Sequence, residues 1–176
     1  NSPAGVGSSV EASGGDGAYS FFDQDGTDDY YITNYVFNNS IRLIDVSSGA
    51  SRTINSENPD PGNGDFINQE ELDSNLDILY SNYSNGTNYI IRRYSKIKAG
   101  TVQKTNLTNA LMDAAPSAMK VSPYTTSVTK LLVGLKNGKL LKIDNANVFI
   151  QWSEITGPGF VGTVSDIEFG ASENEI

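Results

Sequence analysis

Cysteine and histidine are both missing from the chain. Without thiols there is no disulfide framework and no thiolate metal site, and without imidazole the Ser-His-Asp, Cys-His and histidine-metal mechanisms cannot be assembled from these 176 residues. Tryptophan occurs once, and Ala-, Leu- and Glu-rich stretches of helical period are nearly absent, which argues against a helical protein. No apolar run approaches the roughly 20 residues a membrane-spanning helix needs, so no membrane insertion is expected. Positive charge is scarce: 12 Lys and Arg face 21 Asp and Glu, a formal net charge of −9. Such a chain repels phosphate backbones, and no nucleic-acid partner is expected. The opening residues lack an initiator Met and an apolar signal-peptide core, so the expectation is a processed or excised piece of a longer chain.

What is present is a mixture able to bury one substantial core, 38% hydrophobic and 10% aromatic, with abundant Asn, Ser, Thr, Gly and Tyr. Many short strands joined by turns, an all-β chain, is the reading this composition favours. Residues 129–157 supply the template. Leu131, Leu132, Val133 and Leu135 precede Asn137-Gly138, and Leu140, Leu141 and Ile143 follow, which predicts a hairpin with a two-residue type I′ turn. Pairing Leu135 with Leu140 and Leu132 with Ile143 puts apolar side chains on both faces, so this sheet must be covered on both sides. The run 150–155, with Trp152, adds an outer strand.

The same plan recurs along the chain. After an irregular lead-in over residues 1–13, strands are predicted at 18–23, 30–37, 41–46 and 51–55. A second set follows the loop ENPDPGNG: 66–67, 76–83, 89–98 and 102–107. A third uses 118–123, the hairpin and 150–155, and residues 164–169 begin a fourth. The short run 109–115 is a connector with one helical turn at most. Asn38, Asn85 and Asn137, at the central turns, recur at intervals of 47 and 52 residues, close to one propeller blade. The segments IRLID and LLKID fill equivalent third strands, and glycine-rich loops precede each first strand. The expected fold is therefore a β-propeller of about three four-stranded blades, 14–57, 58–115 and 116–161, with another beginning over 162–176. Its competitor is a β-sandwich of about ten strands.

Three stretches carry a resemblance to a known group: GGDGAYSFFDQDGTDDYYITNYVFNNSI, GNGDFINQEELDSNLDILYSN, and KVSPYTTSVTKLLVGLKNGKLLKIDNAN with WSEITG and VSDIEFGASENEI. They resemble the large secreted β-propeller proteins of Bacteroidota of the sortilin, Asp-box and family 74 glycoside hydrolase type. The resemblance implies a secreted or cell-surface location. Three blades and one further strand would leave open edges, so the remaining blades of a parent protein are expected partners of this chain.

Candidate chemistry rests on carboxylates. DPGNGDFINQEEL resembles a calcium loop, with Asp60 first, Asp65 central and Glu71 last, but Gly62 and Gly64 stand where oxygen ligands belong. Calcium is the one cofactor this motif suggests, against an ordinary acidic inter-blade loop. DQDGTDD, residues 23–29, clusters acids between two strands, where Asp and Gly are also ordinary turn residues. A glycosidase needs two acids across a cleft. Asp16 and Asp65, each after glycines in equivalent loops, are the candidate catalytic pair. The same loops, with Gly15, Asp16, Gly17, Asn63 and Asp65, and residues 157–162, form the candidate binding face for polysaccharide or protein. The expected function is a non-enzymatic binding or scaffold module of a larger secreted protein, with a glycoside hydrolase as the alternative. Asn38, Asn82, Asn85 and Asn106 begin Asn-x-Ser/Thr triplets, which chance explains in so Asn-rich a chain.

Overall fold

A computed structural model describes residues 14–57 and 63–176; the expected lead-in over residues 1–13 and the loop residue Asp60 lie outside the described residues. The described chain is all-β, with no helix. Its strands are β1 Ser20–Phe22, β2 Tyr30–Thr33, β3 Ile41–Asp45, β4 Ser51–Asn55, β5 Glu70–Asp73, β6 Ile78–Asn82, β7 Ile91–Ser95, β8 Gln103–Leu107, β9 Pro116–Val121, β10 Leu131–Leu135, β11 Leu140–Asp144 and β12 Gln151–Glu154. They form three separate four-stranded antiparallel sheets, β1-β2-β3-β4, β5-β6-β7-β8 and β9-β10-β11-β12, each running up and down in chain order.

Period-2 alternation explains how the sheets stack. Tyr30, Ile32, Ile41, Leu43 and Ile54 of the first sheet meet Leu72, Leu79, Tyr94 and Ile97 of the second. The opposite face of the second sheet, through Ile78, Tyr80, Ile91 and Leu107, meets Met119, Leu131, Val133, Leu141 and Ile143 of the third. The third sheet is also apolar on its far side, where Ala118, Leu132 and Leu140 pack beneath Val164, Ile167 and Phe169. Two-sided apolar strands were expected of the template hairpin, and the stacking gives both of its faces a cover.

Hydrogen bonds between successive sheets recur at about one repeat of sequence. Tyr30 Oη donates to Asp77 Oδ1 at 2.8 Å, Lys104 Nζ to Asn55 Oδ1 at 2.5 Å, and Arg93 Nη1 to the Ala146 carbonyl at 2.8 Å. Arg52 donates to the Ala99 carbonyl. Ala99 and Ala146 both lie in loops between the third and fourth strands of their sheets, so each neighbouring sheet presents an equivalent carbonyl to an arginine of the sheet before it.

The structure corrects four local expectations. The hairpin between β10 and β11 pairs Gly134 with Leu140 and Leu131 with Ile143, one residue off the two-residue-turn register. Leu135 N–H donates to the Lys139 carbonyl and Gly138 has φ 92°, so the loop has three residues and ends in a left-handed glycine, closing with a bulge instead of a type I′ turn. A Cβ at Gly138 would lie 2.7 Å from the Gly162 carbonyl oxygen, so close chain approach as well as φ demands glycine here. The first strand of the second sheet is Glu70–Asp73, not residues 66–67: Phe66 and Ile67 are exposed, and the acids that disguised the strand face partners of their own. Residues 164–169 form no sheet strand. They cross the far side of the third sheet, held by Val164 N–H to the Leu135 carbonyl at 3.2 Å and by Ser117 Oγ to the Val164 carbonyl at 2.7 Å. Residues 109–115 make a turn without helix, with Met112 inserted into the core.

Candidate functional site

The glycine-rich loops that precede β1, β5 and residue 164 all dock on the central turns of the sheets. The Gly15 Cα abuts the Tyr35 ring, so a Cβ there would overlap it. Gly64, at φ 79°, has Asn68 Oδ1 and Asn38 Nδ2 within 2.6 and 2.8 Å of where its Cβ would be, and its N–H donates to the Ser84 carbonyl at 2.7 Å. Gly162 lies against the Gly138 turn. Close packing against side chains thus accounts for Gly15 and Gly64 and a left-handed φ of 85° for Gly162, and Gly15, Asp16, Gly17, Asn63 and Asp65 line neither of the two clefts described below.

The carboxylates named for calcium and for catalysis are likewise tied to separate partners. Asp65 accepts from Lys136 Nζ at 2.7 Å and from Asn82 Nδ2 at 3.2 Å. Glu71 Oε1 accepts the Val121 N–H at 3.1 Å. Lys136 sits beside Ala115 at the start of β9, and Val121 ends that strand. Six steps of extended chain, roughly 20 Å, separate those anchors, so Asp65 and Glu71 do not share an ion with ligand bonds of about 2.4 Å. Asp16 is exposed and lines neither of the two clefts.

The larger of the two clefts is at the other end from Asp65, where the first strands of the sheets converge. A groove of about 750 Å³ is lined by Ser20, Phe21 and Phe22 of β1, Glu71 and Leu72 of β5, Lys120 and Val121 of β9, and Glu168 of the crossing segment. Gln24, Ser74, Asn75, Ser122 and Thr126, from the loops that follow these strands, add amides and hydroxyls. Gln24 N–H donates to Ser74 Oγ at 3.3 Å, which joins two of those loops. Phe22 is 64% exposed and lies 5.6 Å from the Tyr31 ring. Burial pushes the Glu71 carboxyl up to about 7, against the lowering effect of the Val121 N–H and the Lys120 charge, and the Glu168 and Asp166 charges push the same way as burial. Lys120 Nζ pairs with Glu168 Oε1 at 3.2 Å. Of the residues named from sequence, Glu71 alone lines this groove. The signal for the rest was positional: they follow or compose the first strands of the three sheets, and β5 begins several residues after the strand expected there.

A second feature joins the first two sheets on the same side. Asp23 and Asp28, from the loop between β1 and β2, and Asp77, between β5 and β6, bring carboxylate oxygens within 4.8 Å of one another, and these are the described residues whose geometry could hold a cation. The Lys98 ammonium already stands there, 3.0 Å from Asp77 Oδ2 and paired with Asp28. Burial, then the Asp25 charge, raises the Asp23 carboxyl, both of whose oxygens are enclosed without a hydrogen bond. Burial also raises Asp77, despite the bond from Tyr30. Asp25 is instead lowered, by the Thr27 backbone N–H at 2.7 Å and then by its hydroxyl. A cleft of about 350 Å³ adjoins the cluster, lined by Tyr30, Leu43, Asp45, Arg52 and Lys98 among others.

Comparison of the chain with protein-family models, with curated proteins and with solved structures found no match.

Proposed function

We propose that this chain is part of a β-propeller in a larger secreted or cell-surface protein, and that it acts as a binding module whose ligand enters the groove between the first strands. One observation carries the reading: a single groove draws on β1, β5 and β9, the first strands of successive sheets, and on the segment around Glu168 that follows the third sheet. In a propeller, innermost strands surround the central channel, and ligands are held at its mouth by loops from several blades. Three sheets stacked through alternating apolar faces, tied by hydrogen bonds one repeat apart, support the same arrangement. The lining sets an exposed aromatic ring beside amides, hydroxyls and the charged groups of Glu71, Lys120 and Glu168, which suits a polyhydroxylated ligand such as a polysaccharide: the ring covers the C–H face of a sugar, and the polar groups meet its hydroxyls. Remaining blades of the parent protein are the other partners.

Titration of the chain with soluble β-glucans and xyloglucan, followed by calorimetry, tests this. Binding weakened about tenfold or more in Phe22→Ala and Asn75→Ala, and unaffected in Asp16→Asn, is the expected pattern. Equal binding by all four proteins, or none by wild type, would remove the groove from consideration.

A second reading, glycoside hydrolysis, is favoured by one specific feature. Glu71, whose carboxyl burial pushes up to about 7, and Glu168, which pairs with Lys120, face one groove, as the two acids of a glycosidase would. Released reducing ends with wild type and none with Glu71→Gln, at unchanged binding, would move the assignment to an enzyme.

A further inference from the structure

Asn-Gly pairs occur three times, at Asn63-Gly64, Asn85-Gly86 and Asn137-Gly138, and the structure treats them differently. An asparagine followed by glycine can modify itself. The main-chain nitrogen of the glycine, on losing its proton, attacks Cγ of the asparagine. A bond forms between that nitrogen and Cγ, the bond from Cγ to Nδ2 breaks, and the nitrogen leaves as ammonia with the proton. Water then opens the five-membered imide at either carbonyl and leaves aspartate or isoaspartate, with no change of oxidation state. Three things govern the rate: whether the attacking nitrogen is free, whether the oxyanion forming on Oδ1 meets hydrogen-bond donors, and whether the leaving amide is held.

Two of the three pairs are blocked at the first requirement. Gly64 N–H donates to the Ser84 carbonyl at 2.7 Å, and Gly138 N–H to the Leu135 carbonyl at 3.1 Å. At Asn137 the leaving group is held as well, because Nδ2 donates to Asp113 Oδ1 at 2.8 Å, while Oδ1 accepts from Lys139 N–H at 3.3 Å. Gly86 is exposed, its N–H has no acceptor among the described residues, and no atom lies within 4 Å of where its Cβ would be. Asn85 Oδ1, by contrast, accepts from Thr87 N–H at 3.3 Å, Thr87 Oγ1 at 3.1 Å, Asn88 N–H at 3.0 Å and Asn88 Nδ2 at 3.3 Å. Those donors surround the oxygen on which negative charge develops during attack.

We infer that Asn85 is a self-modification site, which converts to aspartate and isoaspartate ahead of the other Asn-Gly pairs because Gly86 N is free and Thr87 and Asn88 stabilise the oxyanion. This inference is independent of the binding reading. Each event adds one negative charge to the turn between β6 and β7. The isoaspartate product also inserts a methylene into the main chain between residues 85 and 86. The reciprocal Asn85–Asn88 backbone pair, at 2.9 and 3.2 Å, cannot survive that lengthening, so the turn frays while the sheets stay intact.

Incubation of the full chain in warm, mildly alkaline buffer, with peptide mapping by mass spectrometry and enzymatic methylation of isoaspartate, reads the three sites in one sample. Conversion at Asn85 is expected at least about tenfold faster than at Asn63 or Asn137, whose attacking nitrogens must first give up a hydrogen bond. Thr87→Val removes one oxyanion donor and is expected to slow Asn85 several-fold, with the rate at Asn137 as the internal control for folding. Similar rates at all three sites, a faster Asn137, or a Thr87→Val variant that converts as fast as wild type or faster would each overturn the inference.

Discussion

Glu70 and Glu71 are adjacent in sequence and point to opposite faces of β5, and that alternation gives them different chemistry. Glu71 reaches the groove. Glu70, 2% exposed, is closed between the first two sheets, where Ser81 Oγ donates to Oε1 at 2.9 Å and Oε2 has no partner. Burial raises Glu70 to about 8, although Ser81 and the neighbouring Asn34 oppose the rise. The sign of the pH dependence follows. The folded chain holds this proton more tightly than an unfolded chain with its carboxyl at 4.5, so the contribution is complete below pH 4.5 and is lost as pH rises through about 8. Stability measured by urea titration should fall by an order of a few kcal/mol across that window, and Glu70→Gln should flatten the fall. A wild-type profile that is level from pH 5 to 8 would contradict this assignment. At the acidic cluster the reverse charge matters. Lys98→Met leaves Asp23, Asp28 and Asp77 facing one another without a cation, so it should destabilise by roughly 1–3 kcal/mol at pH 7 and much less at pH 4, where the carboxyls can take up protons.

Among the elements, β10 shows how closely strand and crossing segment are fitted. A Cβ on Gly134 would lie 2.5 Å from Val164 Cβ, so Gly134→Ala must push residues 164–169 off the third sheet. Amide exchange at Val164, whose N–H donates to the Leu135 carbonyl, should rise by about tenfold or more, while β11 keeps its protection. Unchanged exchange at Val164 would mean that the segment is held from elsewhere. The central strands of each sheet were legible in the sequence because their apolar residues alternate or run together, as in Ile41–Asp45 and Leu131–Leu135. β5 was not, since Glu70 and Asp73 are acids on buried positions, where Ser81 Oγ bonds one Glu70 oxygen and Thr129 Oγ1 bonds Asp73 at 2.6 Å, partners that only the fold supplies. Residues 164–169 have the apolar pattern of a strand, but apolar alternation fixes which side is buried and not whether a neighbour is there to pair. The groove was missed for a related reason. Its polar residues follow strand ends and read as turn formers, and only the convergence of three sheets makes them a site.

For the molecule as a whole, the second sheet is the middle layer, with one face in the cluster of Ile32, Leu43 and Tyr94 and the other in that of Tyr80, Val133 and Leu141. Stacked units of this kind are coupled to their nearest neighbours, and the strength of each interface decides which unit opens first. The first sheet has the weaker position. Among the described residues no second sheet covers its other face, which carries Phe22 at 64% exposure and Val46 at 54% beside the buried Ile44. Ile32, fully buried at the interface between the first two sheets, and Leu141, fully buried between the second and third, therefore make a contrasting pair. Each truncation to alanine removes a similar side chain and should cost about 2–5 kcal/mol. Ile32→Ala should show that cost as faster exchange across β1 to β4, leaving β10 and β11 protected to the level of global unfolding. Leu141→Ala should lower protection in the second and third sheets together, because its cluster joins them. Uniform loss of protection throughout the chain in both variants would show a single cooperative unit and refute the layered coupling.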